Sequence, residues 1–255
     1  HTPTTATRRI ALCIGNNEYQ GGDRLSNCVC DASDMGEMLK TTLGFDHVVV
    51  ALNVNSDRMH KEVNAFCNLI VPGCIGVVFF SGHGCQDGGS NYLEPIHDPA
   101  SICDTADLRR VFYSLDDLIS KFDMRGSGST FCIFLDSCRS QKLMMNTGVQ
   151  GKGEMFAGLS SQIQIKSSSD APEFKGGRFA VGFAAAAGRI SVGLSGHRNS
   201  PYTRALLEHL PKRRDLSVLH RDVSHAVEHQ VRTLTGHTQQ PWLHDRLPSG
   251  QFILQ

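Results

Sequence analysis

An α/β domain with a mainly parallel sheet is the fold class the sequence predicts, and three observations predict it. Apolar strand-like runs alternate with longer helix-period segments along most of the 255 residues, the order that builds crossover units. Residues 74–80, CIGVVFF, are apolar without alternation, as a strand covered by helices on both faces requires. The length is enough for one large domain with a full core.

Each element follows in order. Residues 8–15 (RRIALCIG) read as a first strand. A helix is expected in CDASDMGEMLKTTLG, with Asp31 or Ser33 as its cap, Met35, Met38 and Leu39 inside, and Gly44 as its stop. HVVVALN is a second strand. SDRMHKEVNAFCNLI is a second helix, its Met59, Val63, Phe66 and Ile70 recurring at three and four residues. The third strand is residues 74–80, SLDDLISKF is a short helix, and residues 129–135 (STFCIFL) are the fourth strand. Residues 139–177 then change texture, rich in Ser, Gly and Lys with weak periodicity; inside a compact domain that marks a functional or mobile loop. RFAVGFAAAA is a fifth strand and SPYTRALLEHL a helix. SVLHRDVSHAVEHQVRTLTG is a strongly amphipathic helix with Leu219, Val223, Ala226, Val227, Gln230, Val231 and Leu234 facing in. GQFILQ is a last strand. The outer stripe of His220, Arg221, His225, His229 and Arg232 reads as a solvated face.

Composition excludes several classes. Twenty-five basic and 25 acidic side chains balance to zero, which gives no electrostatic footprint for nucleic acid or an acidic membrane. No apolar run approaches the ~18–20 residues of a bilayer span, and HTPTTATRR lacks the apolar centre of a signal peptide. Nine cysteines, an odd number without paired spacings, read as reduced thiols of an intracellular, cytoplasmic protein.

In parallel sheets ligand sites lie beyond the carboxyl ends of strands. That rule singles out SGHG after the third strand and DSCR after the fourth. His83 and Cys138, 138 − 83 = 55 residues apart, come to one rim if those strands are neighbours. A cysteine nucleophile needs a thiolate or a nearby base, and an imidazole assists it and protonates the leaving group. Gly82 and Gly84 would leave room for a substrate backbone. The amides of Gly84 and Cys138 would face a developing oxyanion. Singly, the His–Gly pair reads as a turn and Cys138 as a buried thiol; together they read as a catalytic dyad.

The sequence resembles the caspase-fold cysteine peptidases, and within them the paracaspase/orthocaspase branch, with metacaspases as near relatives. ALCIGNNEY, LSNCVCDASDMGEMLKTTLGF, FFSGHGCQDGGSNYLEPIHDP, FLDSCRS, GRFAVGFAAAAG, NSPYTRALLEHL and the terminal QQPW and SGQFIL carry it, in order along nearly the whole chain. A histidine roughly 50 residues before the cysteine is the caspase order. The resemblance implies a three-layer sandwich with a mainly parallel six-stranded sheet, and peptide-bond hydrolysis by a Cys138–His83 dyad. It makes residues 1–255 one peptidase domain: a large-subunit-like part over 8–138, a linker over 139–177, and a small-subunit-like part over 178–255.

Specificity is implied in the same way. In the resembling families the aspartates at the positions of Asp136 and Asp31 line the S1 pocket and pair with a P1 arginine or lysine. Two carboxylates match a guanidinium fork. Taken singly, Asp31 also reads as a helix cap and Asp136 as a strand-end carboxylate holding loop amides. Relatives often carry another acidic residue after the fifth strand, where AAGRISVGLSGHRNS has none; that leaves the order of Arg and Lys open. Caspases proper read a P1 aspartate with arginines. Arg9 and Arg189 lie near plausible positions, but the acidic pair argues against that choice.

Asp116 and Asp117 resemble the acidic pair that metacaspases use for calcium, with His97 and its neighbour Asp98 at another ligand position. The alternative is a helix whose first-turn acids suit its dipole. Lys142, Lys152, Lys166 and Lys175, then Arg178, make the linker a candidate for self-cleavage or an uncut regulatory loop. The expectation is a cysteine endopeptidase cleaving after Arg or Lys, without metal or organic cofactor, acting on proteins or peptides as a monomer or homodimer. Its rivals are a calcium-activated peptidase, an aspartate-specific one and a non-catalytic caspase-like scaffold. Cys85, two residues past His83, has no assigned role.

Overall fold

The computed structural model of the protein describes residues 7–21, 24–87, 90–138, 178–185, 196–212, 215–245, 247 and 254. In chain order the elements are β1 (Arg9–Gly15), α1 (Cys28–Thr41), β2 (His47–Leu52), α2 (Ser56–Asn68), β3 (Ile75–Asp87) and β4 (Ser90–Leu93). A 3-10 turn (Pro99–Ser101), α3 (Thr105–Val111), β5 (Tyr113–Ser114), α4 (Leu115–Arg125) and β6 (Thr130–Cys138) follow. Then come β7 (Arg178–Phe183), α5 (Pro201–His209), α6 (Leu216–Thr235) and β8 (Trp242–Asp245). The main sheet runs β2-β1-β3-β6-β7-β8. Its first five strands are parallel and β8 closes it antiparallel to β7. β4 pairs antiparallel with the outer end of β3, and β5 with β4.

Strand alternation explains the three layers. Successive side chains point to opposite faces, and both faces of β3 are apolar. Val78 and Phe80 join Met59, Val63 and Phe66 of α2 and Leu118, Ile119 and Phe122 of α4 in one cluster. Val77 and Phe79 join Met35 and Leu39 of α1, Leu206 of α5 and Val223, Val227 and Val231 of α6 in the other. The expected α/β sandwich with a mainly parallel sheet is thus the observed one. Among the described residues, no helix is long and apolar enough to cross a membrane.

Several expectations change in detail. Helix α1 begins at Cys28, so Asp31 and Ser33 lie inside it and neither caps it. Asn17 Oδ1 instead accepts from Val29 N at 3.2 Å, a cap supplied by the loop after β1. β3 and β6 run on through His83 and Cys138, because β4 prolongs the pairing of β3. Helix α3 and strand β8 were not predicted; β8 has no apolar alternation, its end residues being exposed and its middle ones half-buried. Leu234 is exposed, while Leu219, Val223, Val227 and Val231 are buried as expected. Ile70 follows the end of α2 and packs on the core from there. The 139–177 linker lies outside the described residues, as does GQFILQ apart from Leu254, which is buried on the α6 side.

Candidate active site

The rim is made where β3 outlasts β1. The β1–β3 ladder ends at Gly15↔Ser81, but β3 and β6 continue to His83↔Cys138. The two expected dyad residues are therefore register partners on adjacent strands, which lie about 4.8 Å apart. They occupy the last pair of the ladder rather than loops beyond it. Ser81, His83 and Asp136 share strand parity with Val77, Phe79 and Phe134, and so belong to the face covered by α1 and α5.

A tyrosine the sequence did not single out holds the histidine. His83 N donates to Tyr19 Oη at 2.9 Å, and Tyr19 Oη donates to the Glu94 carbonyl at 3.0 Å. Glu94 N donates to the His83 carbonyl at 3.0 Å. An ordinary antiparallel pair would exchange both bonds directly; here the phenol is spliced into one of them. The Tyr19 and His83 ring centroids are 4.4 Å apart. Burial, with Glu94 and Cys28 nearby, pushes the phenol pKa well above its ordinary value, so it stays a donor. Asn16 fixes the same corner, giving Nδ2 to the Glu94 carbonyl at 3.2 Å and accepting from Val54 N at 3.0 Å.

This geometry crowds one glycine. A Cβ on Gly82 would stand 2.5 Å from Tyr19 Oη and 2.8 Å from the Phe80 ring. Gly82 is bare at a place where Tyr19 and Phe80 leave no room for a Cβ. Gly84 is opposite Leu93, the pair after the bonded His83–Glu94 one. Alternation turns its amide away from β4, to the side on which Cys138 ends β6.

The acidic residues come together. Asp31 is fully buried and Asp136 is 3% exposed. Asp31 Oδ2 accepts from Ser81 Oγ at 3.1 Å and Oδ1 from Ser200 N at 3.0 Å. Asp136 Oδ2 accepts from Ser200 Oγ, and from Thr203 Oγ1 at 2.6 Å. All these donors are neutral. Desolvation, reinforced by Asp136, pushes the Asp31 carboxyl up to about 8. Burial raises Asp136 too, against the pull of the Ser200 and Thr203 hydroxyls. Two buried carboxyls whose donors among the described residues are neutral are a place where a cation is favoured. Ser81, Ser200 and Thr203 were missed by the sequence reading. Ser81 was legible as the residue two before His83, and Ser200 as a Ser-Pro helix start.

Other candidates separate from the rim. Arg9 opens β1 opposite Ile75, at the far end of the ladder from His83, with its guanidinium 4.8 Å from the Phe45 ring centroid. That places it at the opposite strand ends from His83 and Cys138, the expected dyad. Arg189 lies outside the described residues. Asp98 caps the 3-10 turn through Ala100 N at 2.9 Å, and Asp116 and Asp117 occupy the first turn of α4. Among the described residues, no three or more His, Cys, Asp or Glu side chains are grouped to hold a metal ion. Cys85 is buried with Tyr92, Leu108, Val111 and Phe112. Burial and the nearby Glu94 and Asp87 push its thiol far up, which leaves it protonated and unreactive.

Comparison with known proteins agrees with this architecture. The family profile described as the caspase domain, peptidase family C14, matches residues 8–252. Human mucosa-associated lymphoid tissue lymphoma translocation protein 1 and its mouse homologue are each 29% identical over 94 residues, 37% of this chain and 11% of theirs. The match thus spans about a ninth of those relatives' length. A Geobacter sulfurreducens protein has TM-score 0.64 at 16% identity, covering 97% of both chains. Caspase-1 from Spodoptera frugiperda has TM-score 0.60 at 18% identity, covering 94% of this chain and 88% of its own. At such identities the structural likeness speaks for the fold alone.

Proposed function

Because the chain belongs to the caspase-domain family of cysteine peptidases, we propose that it is an endopeptidase that cleaves proteins after arginine or lysine. His83 takes the Cys138 thiol proton as the sulfur adds to the scissile carbonyl, and the amides of Gly84 and Cys138 stabilise the oxyanion. His83 gives a proton to the leaving amine as the carbon–nitrogen bond breaks, leaving a thioester on Cys138. Water, deprotonated by His83, then releases the carboxylic acid and restores the thiol. Asp31 and Asp136 receive the P1 cation, and the lysines of the linker make self-processing part of the reading.

The observation that carries the specificity is the buried Asp31–Asp136 pair, whose described donors are neutral and whose Asp136 is two strand positions from Cys138. A P1 guanidinium or ammonium would supply a positive charge that none of the described donors brings. Matched fluorogenic peptides ending in Arg, Lys or Asp test it, with wild type and Cys138→Ala, with and without calcium. Turnover of Arg and Lys peptides by wild type alone is expected. No turnover under any condition would sink the peptidase reading in favour of a scaffold. Turnover confined to Asp peptides would sink the pocket and leave the dyad. Turnover only with calcium would favour the metacaspase-like alternative.

A further inference from the structure

We propose that Ser200 is the positioning residue of the acid pair: one serine, fixed to α1 by its own loop, sets both carboxyls for the P1 cation. This rests on the reading of Asp31 and Asp136 as the P1 site. Ser200 touches both carboxyls. Its N–H goes to Asp31 Oδ1 at 3.0 Å and its hydroxyl to Asp136 Oδ2. The same Oγ accepts from Thr203 N at 3.0 Å, capping α5. Its proton is thereby aimed at Asp136 while its lone pair is engaged by the helix.

The loop before it is held residue by residue. Asn27 Nδ2 donates to the His197 carbonyl. Arg198 grips Asp34 through Nε at 2.8 Å and Nη2 at 2.6 Å, and Asn199 Nδ2 reaches the same carboxylate at 3.0 Å. Asp31 and Asp34 lie on one face of α1, and Asn27, the residue before the helix, stands one turn ahead of Asp31. Together they bind four consecutive residues, 197 to 200. Bidentate Arg–carboxylate pairing fixes orientation as well as distance. A shift of this loop moves the donors of Asp31 and Asp136 together, which couples the geometry of the pair to a contact outside it.

A hydroxyl donating to a carboxylate favours its ionised form, the form that binds a cation. Ser200→Ala keeps the N–H to Asp31 and removes the hydroxyl from Asp136. The test measures kcat and KM on a P1-Arg peptide from pH 5 to 9 for wild type, Ser200→Ala and Ser200→Thr. Iodoacetamide alkylation of Cys138, followed by mass spectrometry, reads the dyad without any P1 group. Ser200→Ala is expected to raise KM roughly tenfold and to move the ascending limb of kcat/KM to higher pH. Its alkylation rate should stay within twofold of wild type, and Ser200→Thr should restore KM. If Ser200→Ala does not fold, Arg198→Met tests the same coupling with cap and hydroxyl intact, and a threefold or larger rise in KM is expected. An unchanged KM and pH limb, or an alkylation rate that falls in step with kcat/KM, overturns the inference while leaving the P1 reading standing. A wild type that does not cleave the Arg peptide overturns the P1 reading, and this inference with it.

Discussion

Tyr19→Phe isolates the hydroxyl spliced between β3 and β4. The ring that packs on His83 is kept, and the change removes the hydroxyl's bonds to His83 N and the Glu94 carbonyl. The Glu94 carbonyl still accepts from Asn16, and its loss is small. His83 N–H loses its acceptor at a buried position, and such an orphan costs roughly 1–3 kcal/mol. The sum is about 2 kcal/mol. In a domain of this size that lowers Tm by roughly 4–8 °C. Urea denaturation of wild type and variant measures it, with kcat on an Arg peptide as a second readout. A backbone freed beside the imidazole should also lower kcat about tenfold, since His83 must be held to transfer protons. A stability change below about 0.5 kcal/mol, with kcat unchanged, would refute the account of Tyr19 as the support of His83.

Gly82→Ala should be worse than Tyr19→Phe, because its Cβ meets both Tyr19 Oη and the Phe80 ring inside contact distance. A loss above about 2 kcal/mol in the same urea experiment is expected, and a neutral outcome would contradict the close approach. Asp31→Asn should stabilise the ligand-free protein at neutral pH while removing cleavage after Arg. The Asp31 carboxyl is pushed up to about 8, so the native state keeps a proton that the unfolded chain releases above about pH 4. The wild type is then relatively most stable below about pH 4 and loses stability as pH rises through 8. The variant's advantage should grow over that window to roughly 1–3 kcal/mol, and melts at pH 4, 6 and 8 that differ by a constant amount would refute it. Replacing Lys142, Lys152, Lys166, Lys175 and Arg178 with Gln should leave one band on a denaturing gel where wild type gives fragments ending at these residues by mass spectrometry. A wild type that stays whole would remove self-processing.

The central strands were legible because they follow from local rules, whereas that the third and fourth are neighbours was a condition of the reading and is given by the register. A run apolar on both faces must be a covered parallel strand, and the rule for parallel sheets then picks out His83 and Cys138. The closeness of Asp31 and Asp136 came from family resemblance; as residue types they read equally well as a cap and a strand end. Tyr19 was not legible. Its role depends on Glu94 returning beside His83, a meeting of residues 75 apart in sequence that no periodicity encodes. The tight contact at Gly82 was not legible for the same reason, since its neighbour is Tyr19. Ser200 was seen as a helix start, but its second bond is tertiary. Arg9 shows the opposite error: residue type suggested a place near the site, but Arg9 and His83 sit at opposite ends of one ladder.

The acid pair is assembled across the linker, with Asp31 and Asp136 before it and Ser200 and Thr203 after it. A cut between 139 and 177 would break no hydrogen bond of the described structure. β6 and β7 stay joined through the six register pairs Thr130↔Arg178 to Leu135↔Phe183. Phe179, Val181 and Phe183 stay buried with the strands and helices of the first part, and Leu206, Leu219 and Val223 with Met35 and Leu39. The Arg198–Asp34 pair and the Asn27 bond to His197 tie the loop to α1 from outside the sheet. Severing the linker therefore frees its ends without separating the parts that hold the carboxyls. Among the described residues, the hydrogen bonds that hold Asp31 and Asp136 come from Ser81, Ser200 and Thr203, none of them in the linker, so such a cut leaves them in place.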